Sequence, residues 1–415
     1  MNLTDTFLSG LIAKSQSISV EAFRQAKLCL LDYRGVVIGG AKELQKRHPE
    51  WFGALAAEPG KCSVWGTDSK TTLLNAALLN GFSAHVLELD DGHRLGMIHL
   101  GASVISAVMA VSEAEGLSED CILKGIVMGY ETAVRCARAL QPGHKIRGYH
   151  VSGTCGTLGA ALGCAFACGY SPAQMKSTLS CAVTSAAGLL EIQEGASELK
   201  PYNLGRAAMD GVAAAMTGRL ALPCPDDILG GKRGFLSVLT DESHPDILTD
   251  FGGQDFCIEG IYRKLYAACR HCHPAIEAAL ALREEHHIRP ESIRSVEVHT
   301  YKLAVGGHDH KEIRGISSAK LSTPFSVALA LVKGSAGFAD FCEENVNDTG
   351  ILALTGKVKV LEDAALTAVS PGIRAARLLI VTGAGIYEKQ VDYPKGEPEN
   401  PISESELYGK YSHGI

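Results

Sequence analysis

The chain has 415 residues, 46% of them hydrophobic and 20% charged, and a formal net charge of −7. That is ample apolar material for a large folded core, and it excludes a disordered chain. A sequence pI near 6.1 without a long Lys/Arg run offers no footprint for nucleic acid or for an anionic membrane surface.

Met1-Asn-Leu-Thr-Asp lacks the basic start of a secretory signal, and thirteen irregularly spaced cysteines read as reduced, buried thiols. Both features point to a cytoplasmic protein. Ser19 is placed to cap a helix whose apolar face runs through Phe23, Ala26, Leu30 and Val37. Helical periodicity predicts further helices near 72–88, 101–115, 118–140, 151–168, 172–190 and 206–220, rich in Ala and Gly. Val151 to Tyr170 carries no charge and is long enough for a membrane span. Its Gly, Ala, Ser, Thr and Cys content, with Gly153, Gly156, Gly159 and Gly163 at helical spacing, instead predicts a tightly packed central helix. Beyond residue 258 strand alternation appears at Ile293–Thr300 and Val358–Val360, and two strands meet through Gly383-Ala-Gly385. Pro274 and Pro324 open helices near 274–286 and 324–334. The expected fold is mainly α with a smaller α+β domain. The helical domain spans 1–258 and is completed by a C-terminal helix within 399–415; the α/β domain spans 259–398.

The densest chemistry lies in His85-Val-Leu-Glu-Leu-Asp-Asp-Gly-His-Arg-Leu-Gly-Met-Ile-His99. An apolar helical run ends in Asp90 and Asp91, a glycine-containing loop carries His93 and His99, and a new helix starts at Gly101. Acids and imidazoles facing a helix N-terminus suit proton transfer on a carboxylate-bearing substrate. The alternative is a solvated loop with capping aspartates. His150, Lys200, Lys264 and the run Cys269-Arg-His-Cys-His273 also stand ahead of predicted helices. If they converge they make a site for a multiply charged anion. The Cys-x-x-Cys-His pattern matches covalent haem attachment, but that requires an exporting signal. Zinc needs a second ligand pair, which neither Cys257 nor Cys342 belongs to. His308-Asp-His310 has ligand types as well, in what reads as a solvated loop. No dinucleotide fingerprint, P-loop or nucleophile elbow is present.

Several segments, in order, resemble the MmgE/PrpD family: the Asp-Asp-x-His…His-x-Gly-Ala loop, Gly148-Tyr-His-Val-Ser-Gly-Thr-Cys-Gly-Thr, Glu198-Leu-Lys-Pro-Tyr-Asn-Leu-Gly-Arg, Lys264-Leu-Tyr-Ala-Ala-Cys-Arg-His-Cys-His, Leu321-Ser-Thr-Pro-Phe-Ser and Tyr393-Pro-Lys-Gly-Glu-Pro. The resemblance implies a helical domain with an α/β lid domain, a homodimer, an active site between the domains, and chemistry without a metal or other cofactor. It carries catalytic roles to Asp91, His99, His150, Lys200 and Lys264. His150 and His99 would be the acid/base pair with Asp91 orienting one of them, and the two lysines would clamp substrate carboxylates. His93, Tyr149, Tyr202, Cys269, Arg270 and His273 would contact substrate. The chain departs from the family pattern at Gly92, where Thr is usual, at Leu100, where Pro is usual, and at Leu265 and Ala267, which replace prolines. The Thr hydroxyl, one potential hydrogen bond to substrate, is thereby lost.

The family's members act on small di- or tricarboxylates as 2-methylcitrate dehydratase, cis-aconitate decarboxylase or iminodisuccinate epimerase. One logic links them. Removing a proton α to a carboxylate needs a positioned base and cations for the charge that builds up. Expelling hydroxide completes a dehydration, and returning the proton on the other face is epimerisation. Loss of carbon dioxide reaches a similar species. The expected function is a lyase, with an epimerase as the alternative and a binding protein on the same fold as a third reading.

Overall fold

The computed structural model describes residues 1–194, 197–253 and 255–412. Eight principal helices build the N-terminal part: α1 (Leu3–Lys14), α2 (Val20–Arg47), α3 (Leu73–Val86), α4 (Gly101–Glu115), α5 (Glu119–Leu140), α6 (Val151–Ala167), α7 (Pro172–Ser185) and α8 (Lys200–Gly218). Side-chain oxygens start several of them. Ser19 Oγ accepts the Ala22 N–H at 2.9 Å, and Ser171 and Gln174 form a reciprocal capping box on α7. The apolar faces converge on α6, whose residues are all buried and which packs against α4, α5, α7 and α8. Among the described residues no helix is long and apolar enough to cross a membrane, so the uncharged run of α6 serves a protein core.

Two boundaries differ from the sequence reading. α7 ends at Ser185 rather than near 190, because the Arg206 guanidinium draws the carbonyls of Ser185, Ala187 and Gly153 onto itself and the chain turns away through Gly188 at φ 145°. α8 begins at Lys200, not at 206, with Pro201 in its first turn. Lys200 and Tyr202 therefore belong to the helix instead of a loop ahead of it.

The C-terminal part contains α9 (His273–Glu285), β1 (Ile293–Thr300), α10 (Thr323–Lys333), β2 (Val358–Glu362), β3 (Ala376–Thr382), β4 (Ile386–Val391) and α11 (Glu404–Ser412). The sheet runs in the order β2-β1-β3-β4, with β1 parallel to β2 and the other pairings antiparallel. β3 alternates buried and half-buried residues, as a one-sided strand should, and α9 covers β3 and β4. The last helix returns to the N-terminal part, where Lys410 Nζ and the Tyr411 hydroxyl donate to Asp32 Oδ1 of α2 at 2.8 and 2.5 Å.

The crossing of α5 and α6 depends on missing side chains. A Cβ at Gly159 would stand 2.6 Å from Ala133 Cβ and 2.7 Å from the Gly129 carbonyl oxygen. Gly129 in turn faces the Gly159 carbonyl at 2.8 Å. Backbone-to-backbone contact here brings the helix that carries His150 into register with the one that carries Tyr130. Gly159→Ala should destabilise the fold by about 1–3 kcal/mol through overpacking, read as a lower urea midpoint. Gly53→Ala, in an exposed helix with no heavy atom within 4 Å of the new methyl, should leave the midpoint unchanged or raise it by about 0.5–1 kcal/mol.

Candidate functional site

The segment between α3 and α4 supplies the centre of the site. It is held as a turn by the antiparallel pairing of Gly92–His93 with Ile261–Tyr262 and by a bridge between His93 and Ile98. Glu88 has a left-handed backbone, φ 54°, and a buried side chain. Lys200 Nζ donates to its Oε1, while Lys264 Nζ lies 3.0 Å from both its Oε2 and its main-chain oxygen. His85 Nε2 sits 3.1 Å from Glu88 Oε1, and its Nδ1 lies 2.8 Å from Asp90 Oδ2. Burial alone would raise both acids, but the lysines and His85 hold Glu88 well below the usual carboxylate range, and His85 and His99 do the same for Asp90. Burial also opposes charge on His85 and Lys264, and the carboxylates more than offset it, so both pKa values rise.

His99 and His150 differ in the nitrogen they leave for chemistry. His99 Nδ1 donates to the Asp91 carbonyl oxygen at 2.8 Å, with Asp90 Oδ2 at 3.4 Å, so Nε2 of the neutral ring is a lone-pair acceptor. His150 Nδ1 accepts from Asn203 Nδ2 at 2.9 Å, so its proton resides on Nε2. Burial brings His99 down to about 4 and His150 well below its ordinary value, the latter helped by Lys200. Both rings are neutral near pH 7, and they carry opposite tautomers.

Both line a cavity of about 80 Å³ together with Lys145, Tyr149, Lys200, Tyr262, Arg270, Arg374 and the Cys269/His271/His308 group. Among the described residues, four cationic side chains and no carboxylate form this wall. Lys145 has Cys269, Arg374 and Lys200 as its charged neighbours; burial above all, and then the two cations, lower its pKa, and Cys269, not a carboxylate, is the group that opposes them. Lys145 and Arg374 carried no sequence signal beyond the nearness of Lys145 to the His150 motif; Glu88 and His85 lay in plain view in the quoted loop but read as helix-end residues.

The structure thus gathers His99, His150, Lys200, Tyr149, Cys269 and Arg270 at one cavity. It places the remaining candidates elsewhere. The Asp91 carboxylate turns from the histidines to accept from the Tyr130 hydroxyl at 2.5 Å and the Gly101 N–H at 2.8 Å, capping α4. Asp91 reaches His99 only through its main-chain oxygen, and Asp90 supplies the carboxylate. Lys264 is 0% exposed and behind the cavity wall, so the two lysines share Glu88 instead of clamping from two sides. His93 is buried in the turn, accepting the Gly96 N–H at 3.1 Å. His273 is buried beneath Arg270, whose Nη1 donates to its Nδ1 at 2.9 Å, and it orients that guanidinium. Tyr202 is 41% exposed on the outer side of α8. Gly92 has a local cause: a Cβ there would stand 2.3 Å from Tyr262 Oη, so the tyrosine hydroxyl fills the room a threonine would need.

Among the described residues, two groups of three could hold a metal ion by geometry, Cys269/His271/His308 and His85/Asp90/His99, each with its ligand atoms within 4.8 Å of one another. Lys264 Nζ lies 4.0 Å from Asp90 in the second group, which opposes a further cation there.

These buried imidazoles make stability depend on pH. His93 is brought down to about 3 and His99 to about 4, in both cases first by burial. A group depressed in the folded state contributes stability that is present above its unfolded pKa near 6.5 and lost as pH falls through the folded value. Each should cost on the order of 2–3 kcal/mol between pH 7 and 4.5. Urea midpoints should therefore fall steeply over that range, and His93→Gln should flatten the slope; an unchanged slope in the variant counts against a neutral buried His93.

A family model for the MmgE/PrpD N-terminal domain matches residues 8–248, and one for the MmgE/PrpD C-terminal domain matches residues 266–414. A cis-aconitate decarboxylase-like protein of Aspergillus oryzae is 26% identical over 96% of this chain and 87% of its own length. The cis-aconitate decarboxylase of Mus musculus is 24% identical over 86% of this chain and 75% of its own. That of Homo sapiens is 22% identical over 68% and 60%. With its N-terminal match alone spanning more than half of the sequence, the chain belongs to the MmgE/PrpD family.

Proposed function

We propose that the protein is a lyase that removes carbon dioxide or water from a small di- or tricarboxylate by proton transfer next to a carboxylate, in the manner of a cis-aconitate decarboxylase. The observation that carries this reading is the cavity wall of Lys145, Lys200, Arg270 and Arg374 with two neutral imidazoles of opposite tautomer and no acid among them. The names of the relatives agree with it.

Cations at fixed positions in a partly desolvated pocket hold the substrate carboxylates and the charge that develops when a bond next to one of them breaks. His150, with its proton on Nε2, is the donor to the leaving hydroxyl; His99, with a free Nε2, is the acceptor for an α-proton. An arriving polyanion offsets the field of Lys200 at His150 and raises the pKa of that ring, which brings its imidazolium form within reach at neutral pH. Dehydration needs both imidazoles, whereas decarboxylation needs only a proton donor to the carbon that loses carbon dioxide. No step calls for a metal or an organic cofactor, because side chains supply the positive charge. The α/β residues 259–398 act as a lid over the helical residues, and a homodimer covers the exposed apolar side chains Met216, Leu220 and Leu222 at the end of α8.

Incubation with cis-aconitate, 2-methylcitrate, citrate and iminodisuccinate, followed by NMR, tests the reading. Products short by carbon dioxide or water support it, and inversion of iminodisuccinate alone would replace it with an epimerase. On a substrate that loses water, His150→Ala should lower kcat about 10²–10⁴-fold with KM little changed. Lys145→Ala should instead raise KM, costing roughly 1.5–3 kcal/mol in kcat/KM, or about ten- to two-hundredfold. Sedimentation at micromolar concentration should give the mass of two chains; an active monomer would remove the dimer from the proposal.

A further inference from the structure

The C-terminal side of the cavity carries a second cluster that the roles above leave unused. Cys269 is fixed by its N–H, which donates to the Lys320 carbonyl at 2.8 Å. His308 Nδ1 lies 2.8 Å from the Leu321 carbonyl oxygen, and since a carbonyl can only accept, Nδ1 bears the proton of the neutral ring. Its Nε2 is thereby turned to Cys269 Sγ, 3.8 Å away. His271 stands beside them, its ring centroid 4.9 Å from that of His308, with Nδ1 held by the Tyr301 hydroxyl at 2.6 Å. Nucleophilic sulfur, base, and a third group orienting the base is the pattern of an activated thiol.

The charges around the cluster decide between a metal site and an ion pair. Lys145, Arg374 and Lys200 all act on this group, and Glu88 is the acid that reaches it. A divalent ion would sit among like charges, whereas a thiolate there is stabilised. Burial pushes the Cys269 thiol up, yet His308 and Lys200 outweigh it and hold it at about 6, while the thiolate in turn raises His308. Neighbouring Cys272 shows the contrast: burial takes it above the ordinary thiol range.

We propose that Cys269 and His308 form a thiolate–imidazolium couple that delivers a proton to substrate carbon from the C-terminal side of the cavity, where His99 and His150 serve from the N-terminal helices. This rests on the lyase reading. In decarboxylation the electron pair of the breaking C–C bond stays on substrate carbon as carbon dioxide leaves. The proton on His308 Nε2 passes to Sγ and from there to that carbon, where a C–H bond forms. Sulfur is again a thiolate, His308 is neutral, and one proton from water restores the imidazolium.

Alkylation by iodoacetamide between pH 5 and 10, followed peptide by peptide by mass spectrometry, reads the couple without any substrate. Cys269 should titrate with a midpoint at about 6, and His308→Gln should move it up by a unit or more toward the free-thiol value of about 8.5. Cys121 and Cys224 in the same samples are the internal reference. A wild-type midpoint near about 8.5, or one that His308→Gln does not move, overturns the couple. So does a full equivalent of zinc in the purified protein that blocks alkylation until a chelator removes it. Cys269→Ser on the substrate identified above should cut kcat about a hundredfold or more while KM stays within a few-fold; a wild-type kcat overturns the proton-transfer role. A protein inert on every carboxylate overturns that role together with the lyase reading, and the alkylation titration still decides the ion pair separately.

Discussion

One buried carboxylate sets the arrangement of the site. Glu88, at the end of α3 in a left-handed conformation, takes Lys200 from α8, Lys264 from the C-terminal part and His85 from its own helix. Burying ions costs several kcal/mol each unless partners compensate, and removing one member of such a set typically costs about 3–5 kcal/mol. Glu88, Asp90, His85 and Lys264 therefore hold or fail as a unit. Their value lies less in net stability than in register: two parts of the chain are aligned on a single oxygen pair, and His99 is aligned on the Asp90 next to it.

Beneath the cavity, positive and negative groups are matched; at its wall the matching is partial. Lys200 is shared between the two zones, engaged by Glu88 and facing the cavity. Arg270 is matched to Glu397 at 2.7 Å, while Lys145 has no carboxylate among its charged neighbours. The start of α6, with His150 as its N-cap and Val151 in the cavity wall, adds the positive end of a helix to the same side. The anion preference of the pocket is what remains after the internal pairs have cancelled. It survives moderate salt better than a surface patch would, because the groups are buried.

How much of this could be read from the residues depended on whether the signal was local. Capping serines, first-turn prolines and strand alternation located most elements within a residue or two. α8 was misplaced because Leu199, its N-cap, has no side chain that caps and sits in a helical conformation, so the helix starts without an announcement. Of two adjacent aspartates, one faces the imidazoles and one faces Tyr130, and nothing in the spacing says which. Glu88 falls at the end of the helix predicted near 72–88; its burial follows from Lys264, far along the chain. Lys145, Arg374 and His308 join the cavity only through tertiary packing, so motif positions alone gave His99, His150 and Lys200 without the rest of the wall.

The same loop that carries the chemistry is also the seat of the C-terminal part. Arg94 donates to Glu397 at 3.0 Å and also pairs with Glu399; Arg374 donates to the Arg94 carbonyl at 2.5 Å. Lys320 reaches the Leu87 carbonyl at 3.1 Å and Lys410 the Leu89 carbonyl at 2.9 Å. Nearly every anchor is a cation on a main-chain oxygen or a carboxylate, and Arg270 and Arg374 belong both to this belt and to the cavity wall. A ligand that spans those two guanidiniums and Lys200 touches both parts of the chain at once. The pairings of the belt therefore set the spacing of the cations it meets, and a substitution in the belt, far from the imidazoles, acts on the cavity wall through Arg270 and Arg374.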